Sequence, residues 1–262
     1  VNIFKAVCGF SLLSLPVVPG HIAMSQPAPL ERSGEATETP EISSAQSDHF
    51  QAAFLMASRS VGGLALSPAV QQVMREQLLQ EFAENEDFQE LEQGFPGVTL
   101  AVVDAVLPVA VRQTEQNTPA LIERLATLYA AEMTAAEIAE ATEWFSGAAF
   151  SRWSAAMESN LDLSKIIRDS ITDTETQISS EDLDTIQNDS AARSASTMEL
   201  VDRAALMRFS ETPAFAKLEA LKPRSMAIET AWSNEDKPDD TAEIEHITIK
   251  TLEEFTGLDL SE

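Results

Sequence analysis

From Asp48 onward apolar residues recur three and four apart and rarely alternate, so the pattern predicts helices joined by short breaks. Ser67-Pro68 predicts an N-cap followed by proline at the first helical position, where the missing N–H costs nothing. Val70, Val73, Met74, Leu78 and Phe82 then keep to one face as far as Asn85. Thr118-Pro119 carries the same start signal. After it Ile122, Leu125, Tyr129 and Met133 share a face that Leu121 and Leu128 widen. Thr134 with Glu137 reads as a capping box, in which each side chain satisfies the other residue's free amide. Ile138, Ala141, Thr142 and Phe145 follow it. Ser196 with Glu199 and Asp240 with Glu243 repeat the box. The last helix carries Ile244, Ile247, Thr251 and Phe255 and stops at Gly257, a left-handed residue just past the helix end.

Val98 to Val111 is the ambiguous stretch. Valine favours strands, but the apolar residues here do not alternate and no second strand is present to pair with it. The expectation is a buried helix disturbed near Pro108. It is too short to cross a bilayer, and Asp104 sits in its middle. Ser170 to Ser196 is polar and predicts helices with weak apolar faces. Asn234 to Asp240 predicts a second disordered stretch. The fold class expected is all-α, a bundle of roughly seven to nine helices without significant β-sheet. Residues 48–262 form its single domain.

The first residues follow a different logic. Lys5 precedes an apolar run from Ala6 to Val18, with small residues beyond, the order of a secretory signal. Ala23-Met24-Ser25 is the better cleavage site and Val18-Pro19-Gly20 the second, so residues 1–25 read as a signal peptide. Pro16 and Pro19 break the run before the roughly 20 apolar residues of a membrane anchor. Cys8 lies inside the apolar core rather than after it, a poor lipidation site. Gln26 to Ser47 holds three Pro, four Glu, four Ser and two Thr, with Leu30 and Ile42 its only large apolar residues. That composition cannot offset its ordering entropy, and 26–47 reads as a disordered linker.

Two segments resemble each other. Trp144-Phe145-Ser146-Gly147-Ala148-Ala149-Phe150-Ser151-Arg152-Trp153 aligns without a gap on Phe209-Ser210-Glu211-Thr212-Pro213-Ala214-Phe215-Ala216-Lys217-Leu218. Each reads as a helix, a tight break and a second helix, giving two αα-hairpins, about 134–160 and 196–222. The first segment resembles the secreted bacterial proteins called domain of unknown function 2059. Their pattern is Tyr, a short gap, Thr-x-x-Glu, a helix, then Phe-Tyr-x-Ser-Pro-x-Gly-x-Lys. Tyr129, Thr134, Glu137, Trp144, Phe145, Gly147 and Arg152 fall in register, over about 119–167, with a weaker echo over about 196–221. Ala148 replaces the family's Pro, Phe150 its Gly and Arg152 its Lys. The resemblance implies an exported α-helical protein and carries over no catalytic or binding residue.

Charge and chemistry narrow the function further. The 262 residues carry 17 Lys+Arg against 43 Asp+Glu, a net charge of −26. Phosphate backbones are repelled by such a chain, so nucleic acid is excluded as a partner. One Cys and three His exclude a Cys/His zinc site, an iron–sulfur centre and a disulfide scaffold. No Gly-x-Ser-x-Gly elbow or Gly-rich phosphate loop is present. His21 lies beside the signal, His49 where the linker meets the first helix, and His246 on a polar helix face. The densest acidic cluster is Glu81, Glu84, Glu86, Asp87, Glu90 and Glu92. It lacks the calcium-loop pattern and reads as a solvated helix face. Trp144, Phe145, Phe150 and Trp153 read as core, as do Met198, Met207 and Met226.

Catalytic, cofactor-binding and metal residues are therefore expected to be none, and no cofactor is implied. The chain reads as a soluble periplasmic or secreted, non-catalytic binding or scaffold protein. Its partner would be an envelope protein or a cationic ligand, and the mature chain would have no integral membrane span. The alternatives are a hydrolase-type enzyme using a carboxylate pair in a helical cleft, or a peripheral envelope-associated protein, which anionic lipid would repel. A deep pocket converging two carboxylates favours the enzyme. A shallow apolar groove rimmed by acids favours the binder.

Overall fold

The computed structural model describes residues 44–62, 67–172, 177–235 and 237–259. The signal, 1–25, and residues 26–43 of the linker lie outside the described residues. Among the described residues there are eleven α-helices and no strand, the all-α architecture that the 3.6-residue pattern dictates. In chain order they are α1 (Ser44–Gly62), α2 (Pro68–Glu84), α3 (Glu86–Gly94), α4 (Val98–Glu132), α5 (Ala135–Phe145) and α6 (Ala148–Ser159). Then come α7 (Ser164–Thr172), α8 (Ser180–Thr197), α9 (Leu200–Ser210), α10 (Pro213–Ser233) and α11 (Pro238–Thr256). The first helix begins at Ser44, inside the stretch read as linker, and not at Asp48.

α4 is the axis on which α1, α2, α10 and α11 pack. It runs 35 residues without a break, through both Pro108 and Pro119. Thr118-Pro119 is therefore a helix interior and not a start, and Pro108 ends nothing. Each proline withholds one N–H, from the carbonyl four residues back, at Asp104 and at Glu115. Both prolines and both of those residues are exposed, so the freed carbonyls open to solvent. On the opposite side Leu107, Ala110, Thr114, Thr118, Leu121 and Leu125 are buried in an unbroken line. Burial on that line outweighs the lost backbone bonds. The Thr114 and Thr118 hydroxyls donate to Ala110 O and Thr114 O at 2.9 and 2.7 Å, so neither is left unsatisfied.

Several termini follow their sequence signals. Ser67 accepts from the Val70 amide at 3.2 Å with Pro68 at the first turn, and Thr134 and Glu137 form both halves of the capping box. Gly257 closes α11 at φ +73°, and Gly97 opens α4 at φ +92°; both are left-handed positions that disfavour a Cβ. Two expected boxes do not form. Ser196 is absorbed into α8, where its hydroxyl donates to Arg193 O, and Glu199 caps α9 without a side-chain bond. Glu243 lies inside α11, where it accepts from Arg112 and Gln113 at 2.6 and 2.8 Å, a stronger use than capping Asp240.

Of the stretch Asn234 to Asp240, expected to be disordered, Pro238 to Asp240 form the first turn of α11, and what precedes them is a short connection tied down by side chains; Asp236 lies outside the described residues. Asn234 exchanges two bonds with the Ile178 backbone at 2.8 and 2.9 Å. Lys237 donates to Trp232 O at 3.1 Å and sits 4.9 Å from that ring's centroid, a cation–π contact. These side-chain bonds supply the order that the composition lacks.

α5 and α6 meet at a short break at Ser146-Gly147, and α9 and α10 at one at Glu211-Thr212. Trp144 and Phe209, each in the last turn before its break, stack face to face at 4.8 Å and 7°. Phe145 meets Phe150 edge-on at 5.0 Å, and Phe215 meets Phe209 at 5.6 Å. Trp144, Phe145, Phe150 and Trp153 are all buried, as expected of core. Two bidentate pairs each hold a buried carboxylate. Arg152 holds the buried Asp202 at 2.7 and 2.5 Å, and Arg168 holds the buried Glu81 at 2.8 and 2.9 Å. The Arg152 guanidinium holds the Asp202 carboxyl below the usual carboxylate range.

Candidate functional site

Two of the cavities among the described residues differ sharply in chemistry. The first is an open groove of about 460 Å³ between α2, α3 and the start of α4. Its construction follows from one residue, Asn85. The Asn85 backbone amide closes α2 on the Glu81 and Phe82 carbonyls, while its side chain accepts from the Asp87 and Phe88 amides at 3.1 and 3.3 Å to open α3. One asparagine thus turns the chain and brings Phe88 onto Phe82, stacked at 4.0 Å and 15°. Gln89 donates to Ala83 O at 2.8 Å and staples the two helices together. The chain then turns by 116° from α3 into α4 through Gly97. Glu92 makes that turn possible by accepting from the Gly97 and Thr99 amides at 2.6 and 3.1 Å. Those two amides keep its carboxyl below the ordinary glutamate range.

The floor and walls of this groove are Leu79, Phe82, Ala83, Phe88 and Leu100. Leu100 is 44% exposed, an aliphatic side chain held open to water. The rim is acidic by helical register. Glu76 stands on the face of Leu79 and Ala83, at i, i+3 and i+7, and Glu86 on that of Gln89 and Gln93. Asp104 lies one turn beyond Leu100 and is paired with Arg75 at 2.8 Å. Two members of the acidic cluster leave the solvated face, Glu81 pointing inward to Arg168 and Glu92 capping a turn, while Glu84, Glu86, Asp87 and Glu90 are exposed as expected.

The second cavity, about 440 Å³, lies where α1 meets the α5–α6 break. Ser58, Arg59, Phe150 and Ser154 line it, and Glu158 closes it. Glu158 is buried and accepts from the Ser67 hydroxyl and, at 3.4 Å, from that of Ser154. Burial pushes its carboxyl above the ordinary glutamate range, against those two hydroxyls. A carboxyl with a folded-state value raised in this way adds stability that is full below its unfolded value and is lost as pH rises through the folded value. Glu158→Gln is therefore expected to unfold later in urea than the parent at pH 7, with the gap closing below roughly pH 4. An equal gap at both pH values would show that burial does not raise this carboxyl.

No second carboxylate lines that cavity. Elsewhere Asp182 and Asp169 share one cation, Lys165, at 3.0 and 2.7 Å. Of the described histidines, His49 on α1 hydrogen-bonds Ala130 O at 3.0 Å and His246 is exposed on α11, while His21 lies outside the described residues. Among the described residues no group of three or more His, Cys, Asp or Glu could hold a metal ion. No single helix among the described residues is long and apolar enough to cross a membrane. Sequence reasoning missed the groove. The available signal was Phe82, Asn85 and Phe88, two aromatics one helix-capping residue apart. Met207, read as core, is 60% exposed, while Met226 is buried as expected. No protein-family model, characterised protein or solved structure matches the chain.

Proposed function

We propose that the protein is an exported, non-catalytic binding or scaffold protein, and that its acid-rimmed apolar groove takes the apolar face of a cationic helical segment from an envelope partner. The observation that carries this reading is the groove itself, with an aromatic and aliphatic floor and Leu100 held open to water; helical register puts the exposed Glu76 and Glu86 on the helix faces that continue it. Its volume is in the range of ligand sites and suits inserted side chains rather than a buried backbone. The acids on its rim favour a partner with flanking cations, in approach as well as in register. Hydrolysis by a carboxylate pair has only Glu158 to draw on in the second cavity, and there the carboxyl is engaged by two hydroxyls.

The test uses a fluorescein-labelled amphipathic peptide with a Leu/Met face flanked by arginines, titrated into the full chain and followed by anisotropy. Saturable binding is expected, with Leu100→Lys weakening it about tenfold or more through lost apolar contact and added like charge. A peptide with glutamates in place of the arginines is expected to bind far more weakly. Equal binding to Leu100→Lys and the parent would remove the groove from the account.

The exported reading rests on the Lys5, Ala6–Val18 and Ala23-Met24-Ser25 order and on the resemblance to secreted proteins around Thr134 to Arg152. N-terminal sequencing of protein from the envelope fraction is expected to give a chain starting near Gln26. An intact Val1 terminus on cytosolic protein would contradict it.

A further inference from the structure

The groove has a counterpart on the same chain. α9 buries Asp202, Leu206 and Phe209 on one face. The opposite face carries Leu200, Ala204 and Met207 at i, i+4 and i+7, with Val201 beside them. Leu200 is 82% exposed, Val201 62% and Met207 60%, the three most exposed large apolar side chains among the described residues. A three-turn helix with water against Leu, Val and Met on one whole face has no stabilising reason to keep them there. Arginines border the stripe on both sides. Arg203 lies on one flank and donates to Ala195 O at 3.2 Å, and Arg208 lies on the other with no ion pair among the described residues. In a chain of net charge −26, an apolar stripe between two arginines is the chemical complement of an apolar groove between glutamates.

The geometry points to a second copy of this chain as the partner of the groove, with the α9 stripe of one copy laid across the α2–α3–α4 groove of the next. This rests on the groove reading above and names its occupant. Leu200, Val201 and Met207 supply the side chains that enter, and Arg203 and Arg208 meet the rim that carries Glu76 and Glu86. One copy cannot satisfy itself, since α9 packs on α6 and α10 while the groove is built by α2, α3 and α4. The stripe spans about 10 Å along the helix, so a few inserted side chains carry the contact. Groove and stripe are different patches, so the contact is heterologous and extends into a chain or closes into a ring. The long-range repulsion between two acidic copies is screened within roughly 8 Å at physiological salt, which leaves the local charge match to act at contact.

Sedimentation velocity on the full mature chain, over roughly 1 µM to 1 mM, is the test. The wild type is expected to grow with concentration beyond a dimer. Leu100→Lys, which disables the groove, and the double variant Leu200→Gln/Met207→Gln, which disables the stripe, are each expected to shift the association midpoint about tenfold or more. All these side chains are exposed or rim residues, and coincident thermal melts verify that both variants are folded. Mixing the two variants is expected to restore a capped one-to-one pair that does not grow, because one intact stripe meets one intact groove. A wild type that stays monomeric throughout, or a stripe variant that assembles like wild type, overturns the proposal. So does a Leu100→Lys variant that assembles like wild type, which would mean stripe on stripe, and so does a mixture that restores nothing. The arginine-flanked peptide separates the two levels: if it binds at the groove while copies do not associate, the self-pairing fails and the groove reading stands.

Discussion

Trp144→Ala and Phe209→Ala are each expected to lower the unfolding free energy by about 3–5 kcal/mol, the range for truncating an enclosed aromatic. Both rings are buried, and they stack on each other across the two helix breaks at 4.8 Å. α5 and α9 are 11 residues each, too short to hold a helix in water without a packed face. Because the two rings share one contact, the double variant should lose less than the sum of the singles. Urea denaturation of the four proteins measures this. If both single variants unfold like the wild type, the stack is not part of the core and the α5–α6 and α9–α10 units are not joined through it.

Ala57→Leu is expected to cost about 1–3 kcal/mol by overpacking. α1 presents Ala53, Ala57 and Ser60 at i, i+4 and i+7, all fully buried, toward a surface that α4 and α5 provide. On α4, Ala126 is fully buried as well. Small residues along such a face let helix axes approach at the short end of the usual 8–10 Å. The Ser60 hydroxyl donates to Ala57 O at 2.9 Å, so the seam carries no open polar group. Extra methyl groups at 57 have nowhere to go without separating the helices. Leu55→Ala on the other face, 48% exposed, should change stability by no more than about 0.5 kcal/mol. Thermal melts of both variants decide whether α1 is an integral part of the bundle; equal melting points would detach it.

Much of the helical fold was legible because its causes are local. Ser67-Pro68, Thr134 with Glu137 and Gly257 act within one turn of the chain, and each is used as its sequence suggests. The failures share a cause too. Thr118-Pro119 is a sound local start signal, overruled by a buried line of residues that runs past it from Leu107 to Leu125. Glu243 is drawn away from Asp240 by Arg112 and Gln113, more than a hundred residues earlier. Asn234 is ordered by Ile178, a partner no local window contains. The groove was illegible for the same reason, since it needs the turn at Asn85 and the turn at Gly97 to bring three helices together. Met207 was misread because helical spacing identifies a stripe and not which side of the helix faces water.

Methyl NMR on the full chain tests most directly whether the α2–α3–α4 groove is the binding surface. Selective labels on leucine and alanine report on Leu79, Ala83 and Leu100 in the groove and on Ala155 in the Glu158 cavity. On addition of the arginine-flanked peptide, the methyl signals of Leu79, Ala83 and Leu100 are expected to shift together and saturate, while that of Ala155 stays in place. Shifts at Ala155 with the groove methyls unchanged would contradict the account and move the binding surface to the cavity closed by Glu158.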